Sequence, residues 1–403
     1  MTTVPPTSVS EPTRSMPPVI FLGALAALGP LAVSIHTQSI PEIARSFATP
    51  YGMALNTISA FLLAFAIAQL VVGPLSDRFG RKPVLYGGLI LFGLASAGAA
   101  MADSIEMLIL ARVFQAAGGC ATLITPRAVI QDTHRGIEAA RIMAFVAMLQ
   151  SVAPAIGPVI GGGIDSQFGW RAIFWFLAIL TGFLLLGTGI WMRETRPLVG
   201  GVPDRWSTIF IRYAGLFRSR LYLGYTVTFT FGTTGFFGYL AVGPALLIEQ
   251  QGVSPFVFSL TLMVIATQFV TGNFTASRIV RHLGINRTLL IGVLGVTGAP
   301  VLLLILSDMQ GIAPLVVPVV IFAFFNGFIF PNAMAGAVGV DPRVAGSAAS
   351  FLGFAQLGTG AVISFGLSSL GTASPVPLAL TLIGLGIMAG LGLLLVRSAT
   401  PPA

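Results

Sequence analysis

The sequence predicts an all-α integral membrane protein whose 12 transmembrane helices form two pseudo-symmetric six-helix bundles. Three observations carry this. The chain of 403 residues is 55% hydrophobic and only 8% charged, with 48 Gly, a composition suited to hydrocarbon and not to water. Its apolar residues gather in runs close to the about 20 residues that cross a bilayer as a helix. The two halves of the chain also echo each other.

The spans run near residues 17–40, 53–73, 84–102, 105–131, 139–163, 170–192, 220–248, 256–277, 285–307, 313–336, 345–370 and 375–396. With the N-terminus inside, 17 of the 21 Lys and Arg fall on inner connections, Arg45 and Arg171 fall outside, and Arg112 and Arg127 lie within spans. The positive-inside rule therefore puts both termini in the cytoplasm. Topology thus accounts for the net charge of +8, and nucleic acid is not an expected partner. Residues 1–18 are rich in Pro, Ser and Thr and are predicted to be a disordered cytoplasmic extension without the pattern of a removable signal peptide.

The longest hydrophilic connection, 193–219, separates a bundle at 19–192 from one at 220–396, and 397–403 form a cytoplasmic tail. Phe145-Val-Ala-Met-Leu-Gln150 in the fifth span recurs as Phe351-Leu-Gly-Phe-Ala-Gln356 in the eleventh, and Gly80 matches Gly284. Offsets near half the chain argue for two parallel repeats with a substrate path at their interface. The single cysteine, Cys120, excludes an internal disulfide, and no Cys/His cluster has metal-site spacing, so neither metal nor cofactor is expected.

Between spans two and three stands Gly73-Pro-Leu-Ser-Asp-Arg-Phe-Gly-Arg-Lys-Pro83. Gly80 permits a tight turn, Asp77 sits near a helix end, and Arg78, Arg81 and Lys82 can bridge to helix C-termini or to acids of neighbouring helices. Any short inner loop would be basic, but not in this order. The stretch resembles the signature loop of the major facilitator superfamily. Leu108-Ile-Leu-Ala-Arg112-Val-Phe-Gln115-Ala-Ala-Gly118 resembles its fourth-helix motif, and the resemblance links Arg112 to proton coupling. Ala153-Pro-Ala-Ile-Gly157-Pro158-Val-Ile-Gly161-Gly162 resembles the fifth-helix motif of antiporters, with Ala153 in place of the usual first glycine. Together with Gln131-Asp132, Gly243-Pro244 and Glu249, these features resemble the drug:proton antiporters of the bicyclomycin/chloramphenicol-resistance branch (Bcr/CflA).

The resemblance covers nearly the whole chain and is strongest over residues 57–195. It implies a monomeric secondary transporter in the lipid bilayer that moves a small molecule by alternating access, most simply proton-coupled efflux. Uptake or facilitated diffusion of an organic anion is the alternative. Conformational switching is expected of Asp77, Arg78, Gly80, Arg81, Gly157 and Pro158.

Two departures from the branch shape the expected site. The family's first helix carries Asp-x-Tyr-Leu-Pro, and here Ser34 stands at the aspartate, His36 at the tyrosine and Gln38 at the first proline. All 13 acids map to loops or helix ends, so His36 is the one membrane-interior group whose ordinary pKa lies near neutrality. His36 is predicted to respond to protons beside Arg112 at a shared depth, with Asp132 at the end of span four as an alternative; a structural hydrogen bond is the plainer role for the histidine. Arg127 is the second departure. Fifteen residues after Arg112, it lies roughly 60° from it around a helix, so both can face one path. Pairing with Asp132 at the inner surface is its alternative. Two arginines, a histidine and no interior carboxylate suit an anionic, zwitterionic or neutral amphipathic compound.

Unpaired amides cost several kcal/mol in lipid, which makes buried Gln and Asn candidates for the path or for interhelical bonding. The substrate-binding set is Ser34, His36, Gln38, Gln69, Gln115, Arg127, Gln150, Phe236, Tyr239, Asn326 and Gln356. An enzyme is not expected. Ser34 and His36 would point about 200° apart on a helix, and no acid is present to orient the imidazole.

Overall fold

A computed structural model describes residues 17–134, 136–195, 215–340, 345–369 and 374–399. Most of the predicted N-terminal extension, the middle of the 193–219 linker and the end of the tail lie outside the described residues. The order is α1 (Val19–Ser34), α2 (Ile40–Ser46), α3 (Tyr51–Phe79), α4 (Arg81–Ala100), α5 (Ile105–Thr133), α6 (Gly136–Phe168), α7 (Trp170–Trp191), α8 (Arg220–Pro244), α9 (Pro255–Ile305), α10 (Ile312–Gly339), α11 (Ala345–Ser369) and α12 (Val376–Ala399), with no strand among the described residues.

Helices are what this composition permits in hydrocarbon, where each backbone donor and acceptor needs an internal partner. Their starts are written locally. The Ser104, Ser219 and Ser254 side chains accept from Met107, Tyr222 and Val257 amides at the N-termini of α5, α8 and α9.

Eleven helical segments are long and apolar enough to cross a membrane, against twelve predicted. The difference is α9. This 51-residue helix contains Gly284 at φ 74° and ψ 170°, and its two limbs are the predicted eighth and ninth spans, each longer than the about 20 residues a crossing needs. Gly80, its predicted counterpart, adopts φ 102° and ψ 157° between α3 and α4. The internal repeat is therefore visible in the backbone, at two positions in a region nearly closed to other residues.

The first span departs from the continuous helix expected over 17–40. It stops at Ser34, passes through His36 (φ −109°, ψ 2°) and a 3-10 turn at Thr37–Ser39, and resumes as α2. The polar run competes with the helical ladder. Ser34 donates back to Pro30 and Leu31 carbonyls (3.3 and 3.4 Å), Thr37 to Val33 (3.2 Å) and Gln38 to Ile35 (2.6 Å). Ser39 donates to Asp165 of α6 at 2.7 Å, and burial of the segment in protein makes the irregular backbone tolerable.

Around the centre stand α1, α3, α5 and α6 from the first half and α8, the first limb of α9, α10 and α11 from the second. Outside them, α7 turns Phe183 (67% exposed) and Ile190 (75%) outward, as lipid-facing surface requires. The halves meet through α3 against α11 and α6 against α9. At the end opposite the Gly73–Pro83 loop, Tyr51 Oη donates to the Ala241 carbonyl at 2.9 Å. Nearby, α6 and α9 approach so closely that a Cβ on Gly162 would stand 2.8 Å from Ser259 Oγ.

Candidate functional site

A cavity of about 270 Å³ lies between the halves. Its walls are largely apolar, with phenylalanine the commonest residue. Phe61 and Phe65 of α3 face Phe229, Phe236 and Phe237 of α8, Phe269 of α9, and Phe322 and Phe330 of α10. Of the predicted binding residues, Ser34, Gln69, Arg127, Gln150, Phe236, Asn326 and Gln356 line this space.

The polar groups form two stations. In the first half, Arg127 Nη2 donates to Gln150 Oε1 at 2.9 Å, joining α5 to α6. Arg127 thus turns to Gln150, while Asp132 is engaged elsewhere. In the second half, Gln356 Nε2 donates to Thr233 Oγ1 at 2.7 Å, and Asn326 Nδ2 reaches the Gly232 and Thr233 carbonyls at 3.5 and 3.4 Å. No carboxylate lines the cavity among the described residues.

His36, Gln38, Gln115 and Tyr239 do not line the cavity, contrary to expectation. Gln38 is spent on the Ile35 carbonyl where α1 breaks. Gln115 donates to Ser96 Oγ at 2.7 Å and accepts from Arg112, which ties α4 to α5. Tyr239 turns between α8 and α9, its ring tilted against Phe258 and its hydroxyl 3.5 Å from Thr261 Oγ1. Buried amides and phenols find partners in the nearest helix, and these three find theirs within one half.

His36 and Arg112 come together around Thr57, both fully buried. His36 Nε2 stands 3.5 Å from Thr57 Oγ1, and Arg112 Nε donates to the Thr57 carbonyl at 3.3 Å. The Thr57 hydroxyl donates to the Ala54 carbonyl at 2.7 Å, so its oxygen is left as an acceptor for the imidazole. The Arg112 guanidinium lies 4.2 Å from the centre of the Phe61 ring, whose own helix face borders the cavity. Phe61 is therefore the partition between this cluster and the cavity, and the expected common path for His36, Arg112 and Arg127 is divided by an aromatic wall.

The Gly73–Pro83 loop is tied down at one end of the first half. Arg81 Nη1 reaches Asp77 at 2.5 Å and Ser76 at 3.2 Å, while its Nε reaches Asp132 at 2.9 Å. Thr195 donates to the same Asp132 oxygen at 3.2 Å. Asp132, expected as an alternative proton group, is thus bound into the loop, roughly 30 Å along α5 from Arg112. Arg78 lies over Phe79. Glu194 accepts from the Arg81 and Lys82 amides at 2.9 and 3.1 Å, placing a carboxylate on the N-terminus of α4. In α6, Gly157 packs on Ser34 and Leu31 of α1, with Pro158 buried beside it.

Sequence reasoning missed Glu194, Phe61 and Thr57. The spacing Phe61, Phe65, Gln69 puts three residues on one helix face and marks the lining of α3, whereas Glu194 was visible as an acid between Arg193 and Arg196 at the start of a mostly basic connection.

Comparison with known proteins agrees with this architecture. The Major Facilitator Superfamily pattern matches residues 22–365. The chain is 30% identical to the MFS-type transporter YdgK of Bacillus subtilis over 85% of its own length and 86% of that protein. It is 28% identical to a bicyclomycin resistance protein homolog of Haemophilus influenzae, over 86% and 87% of the two chains. A bacterial homolog of the human lysosomal transporter Spinster, in an inward-facing and unoccupied conformation, shares the fold with a TM-score of 0.69 at 15% identity, covering 94% of each chain. The chain therefore belongs to the Major Facilitator Superfamily and is a multi-pass membrane transporter of small molecules, not an enzyme.

Proposed function

We propose that this transporter exports a small amphipathic compound, anionic, zwitterionic or neutral, from the cytoplasm in exchange for protons. It does so as a monomer, by alternating access, with both termini on the cytoplasmic face of a bacterial inner membrane. The observation that carries the reading is the aromatic cavity between the halves, lacking a carboxylate among its described lining residues, with the halves in contact at the end away from the basic loop through Tyr51 on Ala241 and Gly162 on Ser259. With that loop in the cytoplasm, as the positive-inside rule requires, these contacts join the halves on the outer side, the arrangement expected of an exporter in its loading state.

The outward direction is supported by the bicyclomycin resistance name of a relative covered over most of its length, and by the Gly157-Pro158 stretch. Proton coupling rests on His36 packed beside Arg112, one Phe61 ring from the cavity. In this mechanism the imidazole takes a proton while the outer side is open and substrate leaves. It gives the proton up toward the cytoplasm, and the site resets.

The test is reconstitution of the wild type and His36→Gln in vesicles. Loss of pH-driven accumulation with survival of downhill exchange is expected of the variant, while unchanged accumulation overturns the role of His36. The lack of a carboxylate in the cavity favours one second reading, facilitated movement of an organic anion. That reading predicts a flux indifferent to the pH gradient in both proteins.

A further inference from the structure

We infer that Arg127 and Gln150 form a displaceable carboxylate receptor, and that the substrate is an organic monoanion carrying a neutral hydrogen-bonding group at its other end. This rests on the transport reading and narrows it. Arg127 is the one charged side chain among the described residues lining the cavity. A guanidinium offers five donors in a planar fork matched to a carboxylate, and here Gln150 Oε1 meets one of them at 2.9 Å. Gln150 thus presents a neutral carbonyl where a substrate oxygen would sit. It holds the cation between substrates without neutralising it.

The repeat sharpens the point. Gln150 and Gln356 occupy corresponding positions in the two halves, yet Gln356 serves a hydroxyl, Thr233 Oγ1, at 2.7 Å. Related positions therefore read different groups. The first-half station receives negative charge, and the second, with Gln356, Thr233 and Asn326, receives a neutral polar group. Phe61, Phe65, Phe236 and Phe237 flank the gap for a flat apolar body. The volume of about 270 Å³ lies at the small end of ligand pockets, which limits that body to one or two rings. An organic cation would meet Arg127 without any carboxylate from the described lining to offset it, so cations are excluded.

The placeholder role makes opposite predictions for two changes at one residue. Gln150→Glu builds a permanent carboxylate onto Arg127 and should abolish anion binding. Gln150→Leu removes the competitor and should tighten anion binding; weaker binding overturns the placeholder role.

The experiment is calorimetric titration of the purified full-length protein with three naphthalene probes. One has a carboxylate at one end and a carboxamide at the other, one has carboxamides at both ends, and one pairs a trimethylammonium with a carboxamide. The carboxylate probe is expected to bind at least tenfold tighter than the dicarboxamide, since a charge-assisted bidentate pair exceeds a neutral hydrogen bond. Arg127→Gln should bring those two within about threefold by weakening the carboxylate probe far more than the dicarboxamide, and Gln356→Leu should weaken both equally. Equal binding of the probes by the wild type, preferred binding of the ammonium, absence of carboxylate binding, or a preference that survives Arg127→Gln each overturns the inference. Binding needs no gradient, so a protein that prefers the carboxylate yet shows no pH-driven flux refutes proton-coupled export and not the receptor.

Discussion

At Gly80 the chain adopts φ 102° and ψ 157°, a conformation that costs other residues about 1–3 kcal/mol, and an added Cβ would stand 2.6 Å from Glu194 Oε2. One position thus combines a backbone requirement with a steric one. Glu194 supplies acceptors to two amides at the start of α4, where the helix dipole favours a carboxylate. Gly80→Ala should therefore lower the melting temperature of the purified protein by several degrees, and a Glu194→Ala background should relieve only the steric share. A neutral Gly80→Ala would show that the turn carries no strain. The ion pairs around Arg81 rank by exposure. Asp77 is 65% exposed and Asp132 only 14%, so Asp132→Asn should destabilise more than Asp77→Asn, whose pair is worth at most about 1 kcal/mol. Asp77 lies at the loop end and does not line the cavity, so Asp77→Asn should lower turnover while substrate affinity stays within about tenfold, or 1.4 kcal/mol. Lost affinity with intact turnover would contradict a switching role.

Among the helices, α6 shows how a glycine run divides its labour. A Cβ on Gly161 would overlap the Ile35 carbonyl at the break in the first span, one on Gly162 would press on Ser259 across the interface, and one on Gly163 would meet nothing within 4 Å. Gly161→Ala should thus destabilise the fold by about 1–3 kcal/mol, as overpacking does, whereas Gly163→Ala should be neutral or slightly stabilising in the same thermal assay. Equal effects of the two would mean that α6 does not pack as described. The rough placement of the spans was legible because hydrocarbon forces helices and their minimum length follows from its thickness, although α3, α6 and the first limb of α9 run past their predicted ends. The break after Ser34 was not, since hydropathy sums over a segment whose side chains bond back to their own backbone. Site residues divide on similar grounds. Hydropathy gives depth along a helix but not rotation around it, and the few polar residues of α8 and α10 mark no clear stripe. Hence Arg112 and His36, matched in depth, meet around Thr57, while Tyr239, chosen for its amphipathic ring, and Gln115, chosen for its amide, turn away from the cavity.

For the whole molecule, the two halves repeat in backbone but not in charge. The first half holds His36, Arg112, Arg127 and the tied basic loop, and the second contributes neutral amides and phenylalanines to the cavity. Motion between the halves must therefore be governed by what joins them at each end. At the end away from the loop, one polar contact that crosses is Tyr51 Oη to the Ala241 carbonyl, 2.9 Å, set among the glycine contacts of Gly52 with Ser368 and Gly162 with Ser259. The glycine contacts permit close approach, and the tyrosine adds a directional bond to this state alone. A hydrogen bond of this kind is worth about 1 kcal/mol net, which corresponds to roughly a fivefold change in the ratio of two conformations. Tyr51→Phe keeps the ring and its packing, so it should shift the population toward the state open on that side without unfolding the protein. Spin labels at exposed Asp103 and Met309, which flank this end in the two halves, would report the shift as a growing long-distance component. Export should respond in a defined direction, with faster release to the outside and a slower return to the loading state. An unchanged distance distribution in Tyr51→Phe would assign closure to the glycine packing alone, and Gly162→Leu, whose larger side chain would press on Ser259 and on the Phe256 backbone, would then be the change that opens this end.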